Sequence, residues 1–298
     1  MTTFNGLPNY RPLLCSFLLF ISVLCLGCAS EQDEIPATLS FESFEFSGTE
    51  LDISGNTDNA RATFWHPSGN TMYIASRFTE SVVAWETISP WELEGAVYAA
   101  SVSVAEALQQ NNDLSRAHGL FFSPDGSLMW VFNRTEMWAW QLNTAWDITT
   151  AEVLHYEDLT PVVERGHDMH FHPDGTMLFI DDRNAQAVHQ YQLSTAWDIT
   201  TAGHVFTLDI SDLEEEVRGI EFIFDGRVML LLDTVRMELM QYQLASPWQL
   251  ETAVYHSSFD LSSQTDDPRG LSISPDLCRF YITARNQEKV LEYFNKDC

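Results

Sequence analysis

The feature that most constrains the fold is an internal repeat with a period of about fifty residues. A short segment centred on tryptophan recurs four times, at Ser89–Leu93, Thr144–Ile148, Thr195–Ile199 and Ser246–Leu250. A second recurring segment, typified by Pro-Asp-Gly, keeps the same spacing at Pro67–Gly69, Pro124–Gly126, Pro173–Gly175, Phe224–Gly226 and Pro275–Leu277. Repetition at this period is typical of β-propeller blades, each a small antiparallel sheet that needs its neighbours to cover it.

Each repeat has room for four short strands. Runs rich in β-branched and aromatic residues, such as Met177–Ile180 and Val188–Leu193, alternate with Asp and Gly at turns. Four units are complete, whereas the C-terminal unit, Gly270–Phe294, supplies three strands, and the segment Phe41–Phe46 is interpreted as its fourth. We therefore predict an all-β fold, a five-bladed β-propeller with a composite closing blade, because such a blade hides the sheet edges.

Three segments carry a family resemblance: Arg269–Asp276, Pro173–Ile180 and Ser194–Ala202. They resemble the repeats of secreted bacterial propellers rich in Trp-Asp-Ile-Ser/Thr-Thr-Ala units, which are related to NHL and YVTN repeats. The resemblance covers nearly all of residues 40–298. It implies the propeller fold and says little about function, since propellers serve as lectins, scaffolds, hydrolases and lyases.

The N-terminal segment has the pattern of an export signal. Arg11 precedes an apolar run, Leu13–Leu26, that is too short to span a bilayer comfortably. Leu24–Cys28 resembles a lipoprotein signal box, which predicts lipid attachment to Cys28. The alternative is an ordinary secretory signal cleaved near Ala29. The predicted organisation is a signal peptide with its lipidated cysteine over 1–28, an acidic tether over 29–39 and the propeller over 40–298.

Charge and cysteine content limit the partners and the compartment. The formal net charge of −28 argues against nucleic acid and against anionic membrane surfaces, so membrane contact is expected only through the lipid anchor. Ala29 and Ser30 follow Cys28 where a signal for inner-membrane retention has Asp, so an exported protein anchored in the outer membrane is expected. Such a compartment permits disulfides, and we predict a Cys278–Cys298 bond worth ~3 kcal/mol.

Most of the few cationic side chains recur at fixed repeat positions. Nine of the twelve arginines after Cys28 lie at the start of strand one or just after strand two, which meet at one mouth of the ring. The candidate ligand-binding residues are Arg61, Arg77, His118, Arg134, Arg183, Arg218, Arg269 and Arg285, with Arg116 and Arg165 beside them.

Two hypotheses account for this cationic mouth. It is a funnel for an anionic ligand, an acidic saccharide or an organic acid, or for an envelope protein partner. Alternatively, each arginine pairs with an acid at a blade junction and is purely structural. The acids available for such pairing are Asp58, Asp113, Glu164, Glu216 and Asp267, together with Asp181, Asp182 and Asp233.

The third unit departs from the repeat. Asp168 and His170 replace small or apolar residues, and His172 stands where the first unit has His66 and the others have Ser or Ile. Glu221 in the next unit occupies the position equivalent to His170. The period of two along a strand predicts that these side chains share one face, as a divalent metal site would require, although they equally well fill space between blades. His167, His170 and Glu221 are the candidate acid–base residues of an alternative function, a lyase or hydrolase acting on an anionic polysaccharide at the arginine face. No cofactor beyond a possible divalent metal is predicted.

Overall fold

The computed structural model describes residues 38–108, 116–213 and 216–298. The predicted signal peptide, Cys28 and residues 29–37 of the predicted tether lie outside the described residues. Within the described ranges, no helix is both long enough and apolar enough to cross a membrane.

Twenty strands in the described chain form five antiparallel sheets of four strands each. Blade 1 consists of β2 (Ala60–Trp65), β3 (Thr71–Ser76), β4 (Ser81–Glu86) and β5 (Val97–Ser103). Blade 2 consists of β6 (Gly119–Phe122), β7 (Leu128–Phe132), β8 (Glu136–Leu142) and β9 (Ala151–Asp158). Blade 3 consists of β10 (Gly166–Phe171), β11 (Met177–Asp182), β12 (Ala187–Leu193) and β13 (Ala202–Asp209). Blade 4 consists of β14 (Val217–Ile223), β15 (Val228–Asp233), β16 (Glu238–Leu244) and β17 (Ala253–Asp260).

The fifth blade joins the two ends of the described chain. It consists of β18 (Pro268–Ile273), β19 (Arg279–Ala284), β20 (Lys289–Asn295) and, paired antiparallel with β20, β1 (Phe44–Asp52). The predicted five-bladed propeller with a composite closing blade is therefore confirmed. The only α-helix in the described ranges is the single turn α1 (Ala105–Leu108).

The predicted N-terminal strand begins later than expected. Residues Phe41–Ser43 form a 3-10 turn, and the strand starts at Phe44. The same short turn precedes strand four in blades 2, 3 and 4, at Ile148–Thr150, Ile199–Thr201 and Leu250–Thr252. The turn is thus a regular part of the blade, and the aromatic side chain of Phe41 is buried because it serves as the hydrophobic residue of that turn.

The repeated tryptophans explain why the Pro-Asp-Gly turn keeps its glycine. Each tryptophan has a left-handed backbone, with φ between +62° and +67°. This conformation presses the indole onto the glycine of the same blade, so that a Cβ on Gly126 would lie 2.3 Å from the ring of Trp146. The carbonyl of Trp146 also accepts a hydrogen bond from Tyr73 of blade 1 at 2.8 Å. The tryptophans therefore pack blade against blade, as the sequence predicts.

The composite blade has neither the repeated tryptophan nor the turn glycine. The segment that carries the tryptophan links strands three and four, and in this blade those two strands come from opposite ends of the described chain. Leu277 stands in place of the turn glycine, and the predicted disulfide between Cys278 and Cys298 is present, with Cα atoms 5.8 Å apart. The Asn295 N–H donates to the Cys278 carbonyl, and the Lys296 N–H donates to Ser43. The C-terminus is therefore fixed to the blade by covalent and backbone bonds.

Candidate functional site

An irregularity near the start of strand one positions the repeated cations. In β10, Gly166 pairs with Asp182 but Met169 pairs with Ile180, so two residues on β10 oppose one on β11. Such a β-bulge redirects side chains. The same shift occurs in β2, β14 and β18, and the first bulged residue in the four strands is Arg61, His167, Arg218 and Arg269. His118 stands at this repeat position in blade 2, just before β6.

In blade 3 the bulge is held by a carboxylic acid side chain. Asp181 Oδ1 accepts hydrogen bonds from the N–H groups of His167 at 2.7 Å and Asp168 at 2.8 Å. Burial raises the pKa of Asp181 to about 8, although these two backbone donors favour its ionised form. Burial also raises the pKa of Asp168 well above its usual range, and the neighbouring Asp181 adds to that rise. Burial therefore favours the protonated form of both side chains.

The five bulge-position residues form what we call the inner ring: Arg61, His118, His167, Arg218 and Arg269. Each is at most 8% exposed. The His118 and His167 rings meet edge to face, 4.9 Å apart, and Arg218 Nη1 lies 3.0 Å from His167 Nε2. Burial and the neighbouring cations hold the pKa of both imidazoles well below the usual range. Both histidines are therefore neutral, and the charge of the ring resides on its arginines.

Six further arginines, half-buried, surround the inner ring and form what we call the collar: Arg77, Arg116, Arg134, Arg165, Arg183 and Arg285. Backbone hydrogen bonds tie the turn after strand two to the residues before strand one. The Arg183 N–H donates to the Arg165 carbonyl, and the Arg285 N–H donates to Asp267. The structure thus brings together all eight residues predicted to bind a ligand, with Arg116 and Arg165 beside them.

Four of these arginines are neutralised by the protein itself. Glu216 forms ion pairs with Arg183 and with Arg218, the latter at 2.5 Å. Asp267, which is 4% exposed, pairs in the same way with Arg269 and Arg285. We call these four residues, which belong to blades 3, 4 and 5, the neutralised arc. For them the structural hypothesis is correct, because one carboxylate bridges two arginines.

The other five arginines form the open arc: Arg61, Arg77, Arg116, Arg134 and Arg165. None has a carboxylate of the described residues within ion-pairing distance. Arg77 and Arg116 instead lie on the ring of Phe78, with Cζ atoms 4.9 and 4.7 Å from its centroid. Burial lowers the pKa of Arg77 to about 10, and repulsion from Arg134, Arg116 and Arg165 lowers it further.

Arg61 is the most deeply buried member of the open arc. It is 4% exposed, and its Nε and Nη1 atoms find no hydrogen-bond partner among the described groups. Burial, followed by repulsion from Arg269 and Arg77, lowers its pKa to about 8. Since a guanidinium keeps its proton in proteins, this shift measures an unfavourable charge rather than a neutral side chain. Beside it, both ring nitrogens of His118 are buried and also unpartnered within the described chain.

The three candidate acid–base residues do not lie together, since only His167 belongs to this mouth. His170 Nδ1 lies 3.1 Å from Glu221 Oε2, and both line a cavity of about 470 Å³. Pro173, Asp225 and Trp248 also line it, which places the cavity at the Pro-Asp-Gly ends of the strands. His167, three residues before His170 on β10, lies in the inner ring instead, ~10 Å away along the strand. The expectation of one face that combines the arginines with His170 and Glu221 is therefore not met.

The four predicted metal ligands do not converge either. Asp168 lies in the bulge near Asp181, which changes the alternation along β10. His172 leaves the end of the strand, and its Nδ1 lies 2.7 Å from Asp174 Oδ1. Only His170 and Glu221 meet. No group of three or more histidine, cysteine or acidic side chains in the described ranges has the arrangement of a metal site.

Two contributors to the mouth were missed by reasoning from the sequence. Phe78 follows a repeated arginine in an exposed turn, and nothing in the repeat marks it as the surface that holds Arg77 and Arg116. Asp181 was considered only as an arginine partner. The signal available was that the other units have Ala75, Val131 or Phe132, Leu232 and Thr283 near this position, so a carboxylic acid here departs from the repeat.

No protein-family model and no curated protein matches the chain. Solved structures do match it. A periplasmic gluconolactonase from Pseudomonas aeruginosa has a TM-score of 0.49 and 13% identity over 78% of this chain and 64% of that one. A candidate 6-phosphogluconolactonase from Bacteroides uniformis has a TM-score of 0.47 and 12% identity over 76% and 64%. A functionally unknown protein from Desulfotomaculum acetoxidans has a TM-score of 0.43 and 13% identity over 76% and 62%. The chain spans less than two thirds of the length of each, and its activity does not follow from theirs.

Proposed function

We propose that this propeller binds an anionic ligand, an acidic saccharide or an organic acid, at its arginine mouth. The observation that carries the proposal is Arg61, a buried guanidinium with no carboxylate partner in the described chain. Burying a charge without a partner costs several kcal/mol. An anion at this position would offset that cost through charge-assisted hydrogen bonds, which arginine forms well with carboxylates and sulfates.

The depth of the inner ring favours a small anionic group over a flat protein surface. Arg61 and His118 are 4% and 2% exposed, so a partner must project a narrow group into the ring to reach them. A carboxylate or sulfate on a sugar or organic acid has that shape. An envelope protein partner would have to insert an acidic side chain into the ring. If no small anion binds, that result would favour a protein partner.

The test is isothermal titration calorimetry of the purified chain with galacturonate, citrate and phosphate. Arg61→Met removes the buried charge and keeps the aliphatic stem, and we expect it to weaken the best ligand at least ten-fold. Arg227→Met is the matched control, since Arg227 is exposed in the turn between β14 and β15, at the opposite end of the strands. Equal binding by the wild type and Arg61→Met would contradict the proposal.

A second candidate function is acid–base catalysis in the 470 Å³ cavity. The observation that favours it is the 3.1 Å contact between His170 Nδ1 and Glu221 Oε2, which orients the imidazole as a carboxylate does in many general bases. His170→Gln and Glu221→Gln should then each lower hydrolysis of a sensitive chromogenic ester or glycoside panel by ~100-fold or more. His172→Gln is the control, and a wild type that turns over none of the panel argues against this candidate.

We also propose export with lipid attached to Cys28. The disulfide between Cys278 and Cys298 supports an oxidising compartment. Metabolic labelling with a fatty acid should mark the wild type and leave Cys28→Ser unlabelled. Labelling of neither protein, with release of a processed chain, would favour the ordinary secretory signal.

A further inference from the structure

The neutralised arc shows how this fold compensates an arginine of the mouth. Glu216 serves Arg183 and Arg218, and Asp267 serves Arg269 and Arg285. In both cases one carboxylate bridges an inner-ring arginine and a collar arginine. The protein's own ratio is therefore one anionic group for two arginines.

The open arc has five arginines at two depths. Arg61 lies in the inner ring, and the other four lie in the half-buried collar. At the ratio of the neutralised arc, five guanidinium groups call for two to three anionic groups, so a single carboxylate leaves part of the arc uncompensated. The described chain offers none.

The collar part of the open arc is held in position before any ligand arrives. Arg77 and Arg116 share the ring of Phe78, a cation–π contact worth ~0.5–1 kcal/mol each at an exposed site. Arg134 has a left-handed backbone, φ +73°, and its carbonyl accepts the Gly166 N–H at 2.8 Å. These contacts limit the ordering cost of binding a second anionic group.

We infer that the ligand is a multivalent anion, in which one anionic group is bound by Arg61 in the inner ring and at least one more lies over the collar between Arg134 and Arg165. This inference rests on the proposed function and names the class of ligand for the same site. Two sources share this chemistry, a linear acidic oligosaccharide and a small organic polyacid. Both present two or more carboxylates on one molecule.

The experiment compares ligands that carry one, two and three carboxylates within each of two chemical series. Calorimetry of the purified chain with mono-, di- and trigalacturonate forms one series, and butyrate, succinate and citrate form the other. We expect the dissociation constant to fall at least ten-fold from one charge to two in at least one series. The series that shows the fall identifies the source.

The variants locate the second group. Arg165→Met should raise the dissociation constant of the best divalent ligand at least ten-fold and that of its monovalent counterpart less than three-fold. Arg61→Met should weaken both, and Arg227→Met neither. Monovalent and multivalent ligands of equal affinity, all sensitive to Arg61→Met, would overturn the inference and leave the proposed function standing. An equal loss for both ligands in Arg165→Met would also overturn it, whereas no binding by any ligand would overturn the proposed function itself.

Discussion

The two arcs of the mouth carry the same repeated arginines and differ in what compensates them. In the neutralised arc, Glu216 and Asp267 each lie between two guanidinium groups. Repulsion between arginines lowers the pKa in both arcs, but in the neutralised arc Asp267 opposes its effect on Arg269, whereas no carboxylate of the described chain opposes its effect on Arg77 and Arg134 in the open arc. Repetition of a residue thus does not by itself mark it as structural or functional; its partner does.

The difference arises from one repeat position before strand one. Glu216 and Asp267 stand two residues before the inner-ring arginines Arg218 and Arg269, and each bridges two guanidinium groups. The same position holds Asn59 in blade 1, Arg116 in blade 2 and Arg165 in blade 3. The acids Asp58 and Glu164 stand one residue earlier in the repeat and form none of the observed ion pairs, and Asp113 lies outside the described residues. The open arc therefore lacks an acid at the repeat position that compensates the arginines of the neutralised arc.

Removing a bridging acid should have the largest effect. Asp267→Asn takes the negative charge from two arginines, one of them buried, and breaking a buried ion pair costs ~3–5 kcal/mol. We expect the free energy of unfolding in urea to fall by about 3 kcal/mol. Asp266→Asn, at the exposed neighbouring position, is the control and should change it little. A small effect of Asp267→Asn would mean that the neutralised arc is no better compensated than the open one.

Removing the buried arginine of the open arc should change the free energy of unfolding in the opposite direction. Replacing a poorly compensated buried charge with an apolar side chain of similar volume is often stabilising by ~1–4 kcal/mol. Without ligand, we therefore expect Arg61→Met to raise the free energy of unfolding by about 1–2 kcal/mol, measured beside Arg227→Met. Destabilisation by Arg61→Met would show that the arginine has a structural role after all.

The protonation state of Asp181 decides whether its side chain carries a negative charge that offsets the positive charge of the inner-ring arginines. Its pKa of about 8 in the folded protein lies above the ordinary value of 3.8, so the folded state binds more protons and its stability falls as the pH rises from about 4 to 8. Asp181→Asn keeps the Oδ1 acceptor and removes the titration. Between pH 5 and 9 the wild type should lose at least ~1.4 kcal/mol more than the variant, the equivalent of one pKa unit. Parallel pH profiles would mean that Asp181 is ionised and already offsets part of the ring's charge.

The fold was predictable from the sequence because the repeat is periodic and local. The period fixed the number of blades, and the unpaired strands at the two ends predicted the composite blade. The predicted start of β1 was wrong because Phe41–Ser43 forms a 3-10 turn. The equivalent turn at Ile148–Thr150 is marked by a Trp-Asp-Ile sequence, which the N-terminal segment lacks.

The site was only partly predictable, because which of its arginines are paired with an acid depends on contacts between blades. The sequence identified the arginines, and the repeat register separates Glu216 from Asp58, but which guanidinium groups an acid bridges depends on how neighbouring blades lie side by side. The bulge at His167 recurs in β2, β14 and β18, whose blades have no acid at the position of Asp181, so that residue does not mark it. The bulge disrupts the alternation on which the metal prediction from Asp168, His170 and His172 relied.

The collar offers the smallest and most direct comparison of the two arcs. Arg77 and Arg285 occupy the same position after strand two, and both are half-buried. Arg285 pairs with Asp267, whereas Arg77 lies against Phe78 among other arginines. Arg285→Met should therefore destabilise the protein by ~0.5–1 kcal/mol, and Arg77→Met should be neutral or slightly stabilising, because partly exposed ion pairs contribute only that much. Raising the salt concentration should bring the two variants together, since screening weakens the attraction in one arc and the repulsion in the other. If both variants changed the free energy of unfolding in the same direction at low salt, the two arcs would not differ in how their collar arginines are compensated.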